Sequence, residues 1–534
     1  MTGTAHYRVV DDVALIELDH APVNALSYEL RSALIAGLNR AADDPAIAAI
    51  VIIGAHGVFC GGADLRQLDT PLYWQYPRTI ELAARLDEIG KPVVAAIGAL
   101  AMGGGLELAL GCHYRVCRPD SRLALPEVKL GLMPGGGGTL RLPRLIGVEQ
   151  ALRMMLDGES IDAQRAARWG LIDLVASQDL QAEAIAYARR QGLALAARRQ
   201  APRRARDLSV DIDRALDRLA QARRQLASGA DQGRGPHTIV DCIEAGLIDG
   251  WDEAVERTAQ ATAERMASPE AKAHRYQFFA QREAARVDPA DPPVPSAAPA
   301  ASASRPPALK RLALQADASG RCPAMLVPLL RRLEKAAVAT VLVGRGAGTE
   351  IADVDLLVVG LTASPGSGAC DTADAAREGA LRELRAIDER WPDTIPLLLV
   401  LDDGEFRPLL AARRSHRPWL GLRLPGEHHG RIVEIVAIGD GTGPWRAALA
   451  RLLRQTGWQP VQCGDGPHAV AATLRAALPA QTRVDQEEAL PALRAAGREL
   501  VARAQVRRIS DIDVVLVAGL GYPAHRGGPF HPTG

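Results

Sequence analysis

Residues 287–308, VDPADPPVPSAAPAASASRPPA, are dense in Pro, Ala and Ser and carry almost no bulky apolar side chains. Such a tract buries too little surface to offset the entropy of ordering it, so it reads as a linker, extended in part. It divides the 534-residue chain into two parts, each of which must build a core of its own. A length prior of roughly 150 residues per domain allows three or four units. The expected boundaries are an N-terminal domain over 1–190, a helical connector over 191–286, the linker over 287–308, a second α/β domain over 309–462 and a helical region over 463–534.

Both parts alternate short apolar runs with helical periodicity, which predicts an α/β fold class. VALIELD, AIAAIVIIGA and KPVVAAIGALAMGG read as strands, and SYELRSALIAGLNRAADD and PRTIELAARLDEIG as helices. Beyond the linker, RLALQA, ATVLVG, VDLLVVGL and IPLLLVLDD are buried-strand candidates spaced as in a doubly wound sheet. Lys+Arg and Asp+Glu both count 63, so no charge excess favours nucleic acid or an anionic membrane. The seven cysteines are scattered without metal or redox spacing, which predicts a reduced, cytoplasmic protein with no metal. The N-terminus lacks a basic stretch followed by an apolar one, and no apolar run reaches about 18 residues, so neither export nor membrane insertion is expected.

Three glycine-rich segments carry the chemistry. GVFCGGADLRQL, residues 57–68, exposes backbone N–H groups at a turn. AMGGGLELALGC, residues 101–112, places three glycines before an apolar helix, whose first amides are free donors at the positive end of a dipole. LPEVKLGLMPGGGGTLRLPRLIG, residues 125–147, sets one carboxylate in an apolar, glycine-rich surround.

Together with PVNAL at 22–26 and DGESIDAQRAARWGLIDLV at 157–175, these segments resemble the enoyl-CoA hydratase/isomerase (crotonase) superfamily over about residues 8–185. The resemblance implies a ββα-spiral domain that takes an acyl-CoA thioester, with coenzyme A as part of the substrate and no other cofactor. It implies that the backbone N–H groups of Ala63 and Gly104 form an oxyanion hole. It also implies that Glu107 and Glu127 are the acid/base pair, Glu107 mainly activating water and Glu127 mainly protonating C2. Asp64 and Arg66 follow the oxyanion loop and are candidate substrate-binding residues, Arg66 for a phosphate. The basic cluster from Arg189 to Arg206 reads as a solvated helical face, and His113, where the family more usually has Asp, as a local packing change.

The order of domains resembles multifunctional fatty-acid oxidation proteins, which join a hydratase to a 3-hydroxyacyl-CoA dehydrogenase; SPEAKAHRYQFFAQREA and ISDIDVVLVAGLGYPAHRGGPF carry that likeness. The functional positions depart from it. ADASGR at 316–321 lacks at least two glycines of a dinucleotide turn, and GRGAGTE at 344–350 follows the second strand and lacks the third. Glu434 fits the dehydrogenase's glutamate, and counting back 12 positions reaches Leu422 where its histidine should be, with His428 and His429 nearby. LDDG at 401–404 and Pro467-His468-Ala469 stand where the family has other polar segments. The expectation is a Rossmann-like, degenerate dehydrogenase half that has lost NAD binding, followed by a truncated helical region.

The expected function is hydration of a 2-enoyl-CoA to a (3S)-3-hydroxyacyl-CoA. The alternatives are a Δ3,Δ2-enoyl-CoA isomerase, a crotonase of a specialised pathway, or a non-catalytic assembly partner. Self-association or docking to a thiolase are the expected protein contacts.

Overall fold

The computed structural model describes residues 3–228, 233–286, 309–315, 326–336, 338–343, 354–361, 373–391, 395–401, 406–413, 417–424, 431–438, 442–466, 468–479 and 482–531. The expected linker, the two glycine-bearing turns at 316–321 and 344–350, the His428-His429 pair and most of LDDG lie outside these residues. The chain divides into two units, Met1–Lys272 and Ala273–Gly534. The first unit runs well past the expected boundary at 190 and takes in most of the helices read as a connector.

In the first unit a six-stranded sheet runs Thr4–Val10, Val13–Asp19, Ala49–Gly54, Val93–Ile97, Tyr114–Cys117 and Leu174–Val175 in spatial order. Its first pair is antiparallel and the rest parallel. Parallel strands covered on both faces read as unbroken apolar runs rather than as alternation. VALIELD is such a strand: Ala14, Ile16 and Leu18 enter the main core, while Val13 and Leu15 pack beneath Ala184 and Ala188 of the Leu180–Arg198 helix.

KPVVAAIGALAMGG, read as one strand, is two. Val93–Ile97 belongs to the large sheet, and Leu100–Met102 to a second, three-stranded sheet with Arg122–Ala124 and Ile161–Asp162. The break comes at Gly98, where a β-carbon would stand 2.5 Å from the Gly57 carbonyl, and at Ala99, whose φ is +25°. The chain thereby leaves one sheet for the other just before the glycines that open the next helix.

In the second unit seven strands lie in the order Ala339–Val343, Arg311–Gln315, Leu356–Gly360, Leu397–Leu401, Trp419–Arg423, Ile432–Ala437, Gln459–Cys463. All neighbours are parallel except the pair Trp419–Arg423 and Ile432–Ala437. The first strand sits between the second and third, which is the order of a doubly wound sheet. Separate apolar clusters cover its two faces. Among the described residues, no helix is long and apolar enough to cross a membrane.

Candidate active site

The Gly104–Gly111 helix begins abruptly because Gly103, at φ +52°, takes a turn that a β-carbon would strain. Its first amides therefore have no partner in a preceding turn. Alongside runs Cys60–Ala63, tied by Cys60 N–H to Leu100 O (3.2 Å) and Met102 N–H to Cys60 O (3.0 Å). Leu26 N–H fixes its other edge through Gly62 O at 2.8 Å. The two chains come close enough that a β-carbon on Gly104 would be 3.5 Å from Ala63 N, and one on Gly62 would be 3.5 Å from Gly104 N. Neither the Ala63 nor the Gly104 N–H donates to another described residue.

Glu107 lies one turn into this helix, buried to 3% exposure. Its Oε1 accepts from Gly136 N–H (2.7 Å) and Gly138 N–H (2.8 Å), both from the PGGGG run before the Gly138–Ile146 helix. Its Oε2 accepts from no described residue. The glycines are required by space: a β-carbon would be 2.7 Å from Oε2 at Gly136 and 3.0 Å from Oε1 at Gly138.

Glu127 opens the short helix Glu127–Leu130 after Pro126 and reaches the same place from the other side. Its Oε1 lies 3.1 Å from where a Gly103 β-carbon would be, and its Oε2 is buried with no hydrogen-bond partner. Burial lifts both carboxyls. Glu107 is pushed up to about 7, the two amides holding it back, while Glu127 goes well above the usual carboxylate range through burial and then the Glu107 charge. The two titrate as a pair.

The structure thus brings together Glu107, Glu127, Ala63 and Gly104, and adds residues the sequence did not single out. Tyr73 packs with Ala63, Leu65, Leu68, Leu130, Leu132 and Met266, and burial and the Glu107 charge, with a smaller push from Glu127, raise its phenol to about 12. The buried Arg31 guanidinium donates to Leu26 O (3.1 Å), Leu72 O (2.8 Å) and Pro77 O (2.7 Å), which clamps the segment carrying Tyr73 to Leu26, the residue that pairs with Gly62. From the Trp251–Ala267 helix, Thr262 closes on Gly135, and Arg265 donates to Gly131 O at 2.9 Å. A helix beyond residue 190 therefore buttresses the stretch from Gly131 to Gly135, between Glu127 and the glycines that hold Glu107. No local motif marks these residues; only the tertiary fold assembles them.

Of the remaining candidates, burial pushes Asp64 up, but three hydrogen bonds from Arg66 (backbone N–H 3.0 Å, side chain 2.9 and 2.8 Å) together with the Arg66 charge hold it below the usual range. The Arg66 side chain itself is 72% exposed. His113 is buried and accepts from Val93 N–H through Nδ1, and burial lowers it to about 4, so the ring is neutral. Within the basic cluster, Arg189 pairs with Asp11 and Asp12, Arg203 with Asp173 and Arg204 with Asp207.

Glu434, in the second unit, is fully buried but does not face Leu422. In the antiparallel pair Leu422 lies opposite Ile435 and Arg423 opposite Glu434. Directly opposed residues share a face, so the 12-position count lands on the wrong side of the sheet. Arg423 stands 3.7 Å from Glu434 Oε2 and 3.1 Å from Asp465 Oδ1, and Ala471 N–H donates to Glu434 Oε1 at 3.2 Å. His468 is described, but Pro467 beside it is not.

Residues 9–230 match the family model "Enoyl-CoA hydratase/isomerase". The chain is 39% identical over 282 residues to a peroxisomal bifunctional enzyme of Danio rerio, and 35% identical over 283 residues to one of Cavia porcellus. Each match covers 52% of this chain and 38% of the relative, so the chain spans well under half the length of these curated proteins. Among solved structures it resembles DspI of Pseudomonas aeruginosa (31% identity, 44% of this chain and 90% of that one, TM-score 0.34). A carnitinyl-CoA dehydratase from Mycobacterium avium 104 matches at 27% identity, over 51% of this chain and 94% of that one, with TM-score 0.37.

Proposed function

We propose that this chain, whose residues 9–230 match the enoyl-CoA hydratase/isomerase family model, adds water across the 2,3 double bond of a 2-enoyl-CoA and releases a (3S)-3-hydroxyacyl-CoA. One observation carries the reading: two buried carboxyls of raised and unequal basicity meet beside two backbone amides whose hydrogens are unspent.

In this mechanism the Glu107 carboxylate, anchored by Oε1, takes a proton from water at Oε2, and the water oxygen bonds to C3. The π electrons move through C2 to the thioester oxygen, whose negative charge the Ala63 and Gly104 N–H groups receive. Each such donor is worth about 3–4 kcal/mol in other enzymes. Glu127, its carboxyl raised well above the usual range by burial and the Glu107 charge, acts as the acid and delivers a proton to C2 as the carbonyl re-forms. Glu107 ends protonated and Glu127 ionised, and moving one proton between them resets the pair. Arg66, oriented by Asp64, is the proposed contact for a phosphate of coenzyme A.

Purified protein is expected to bleach the ultraviolet absorbance of a short or medium 2-enoyl-CoA. Glu127→Gln should lower turnover by about 10² or more. Full turnover in that variant sinks the assignment. Glu107→Ala should spare movement of a 3-enoyl double bond, which needs one carboxyl, far more than it spares hydration.

The second unit enters the proposal as a dehydrogenase fold without its chemistry. The residue facing Glu434 is an arginine, a permanent cation that cannot take a proton from a 3-hydroxyl group.

A further inference from the structure

Thr79 opens the Thr79–Glu88 helix, and its hydroxyl is idle. The helix is capped by Arg78 and Glu81, and the Thr79 Oγ1 bonds to no described residue. Its place is fixed by two glycines. A β-carbon on Gly136 would lie 2.6 Å from the Thr79 methyl carbon and 2.7 Å from Glu107 Oε2, so the methyl and that oxygen border the same small volume. A β-carbon on Gly104 would lie 3.6 Å from Thr79 Oγ1 and 3.5 Å from Ala63 N, so the hydroxyl borders the oxyanion amides. Thr79 thus spans the gap between the carboxylate oxygen left free by the loop amides and the amides that wait for the thioester. In the proposed hydration the attacking water starts from that same carboxylate oxygen.

We infer that the Thr79 hydroxyl is a positioning residue for hydration, holding the nucleophilic water on the line from Glu107 Oε2 to C3. A hydroxyl both donates and accepts, so it can take a hydrogen from the water while leaving the other for Glu107, or donate to its oxygen before attack. Isomerisation uses no water and has no need of it. This inference rests on the hydratase reading, and the experiment separates the two.

Thr79→Val keeps the methyl against Glu107 and removes the hydroxyl; Thr79→Ser keeps the hydroxyl and removes the methyl. Wild type and both variants are assayed as full-length chains for hydration of a 2-enoyl-CoA and for isomerisation of a 3-enoyl-CoA. The expected result for Thr79→Val is a hydration kcat about tenfold lower with KM within about twofold and isomerisation unchanged. Thr79→Ser should hydrate close to wild type. A wild-type hydration rate in Thr79→Val, or an equal loss in Thr79→Ser, overturns the inference and leaves the hydratase reading standing. A wild-type chain that hydrates no enoyl-CoA overturns the reading, and the inference with it.

Discussion

In the proposed mechanism the two glutamates do different work, and their surroundings differ by two hydrogen bonds. Gly136 and Gly138 donate to Glu107 and nothing donates to the buried Oε2 of Glu127, so burial acts nearly unopposed on the second. Hydration needs Glu107 ionised and Glu127 protonated, so kcat/KM should fall as pH drops through about 7, the Glu107 value. A pH–rate profile flat from 5 to 8, roughly the span over which such a group titrates, contradicts this. The stability effect has the opposite sense. Both folded pKa values lie above the unfolded carboxyl's, so the folded state holds more protons and loses stability as pH rises from the unfolded value through the folded ones. Glu127→Gln should therefore resist denaturant better than wild type at pH 8 and no better at pH 4, pH values chosen as roughly either side of that window. Both glutamates were legible in the sequence because each sits in a local motif. Thr79 and Tyr73 were not, since PRTIELAARLDEIG and the residues before it look like any amphipathic helix and its approach.

At the scale of elements, the site depends on how a few segments are held together. Arg31, from the Tyr28–Asp43 helix, joins Leu26, beside the Cys60–Ala63 stretch, to the segment that leads into the Thr79–Glu88 helix. Replacing it with methionine leaves buried carbonyls without a donor, which costs about 2–4 kcal/mol. Denaturant unfolding of Arg31→Met should show that loss as a lowered midpoint at unchanged slope. The sequence announced most of the strands, since parallel strands buried on both faces are plain apolar runs. It hid the break at Gly98 and Ala99, because Gly-Ala-Leu-Ala continues an apolar run while the backbone changes sheets. It also hid the register of the Trp419–Arg423 and Ile432–Ala437 pair. That register depends on the residues between the strands, and a count along the chain carries no record of how they turn.

Over the whole molecule, the two units have unequal claims to chemistry. The first has a site in which every buried carboxylate oxygen is either anchored or left for reaction. In the second, the buried Arg423 is held between the Glu434 and Asp465 carboxyls. Removing one member of a buried charge cluster typically costs 3–5 kcal/mol. Arg423→Met should accordingly lower the unfolding temperature of the second unit, followed by calorimetry, while enoyl-CoA hydration at low temperature persists. Titration of the full chain with NADH should show no micromolar binding, and a tight isotherm would return the second unit to the dehydrogenases. The glycines of the first unit have a different consequence, one for heredity. A one-base change in a glycine codon that alters the residue gives either one with a β-carbon or a stop. At positions 103, 136 and 138 that carbon falls on or against a glutamate oxygen. Leu68, Leu132 and Met266, packed around Tyr73, can change by a methyl group at a time, whereas the smallest change at these three glycines already sets a β-carbon against a carboxylate oxygen.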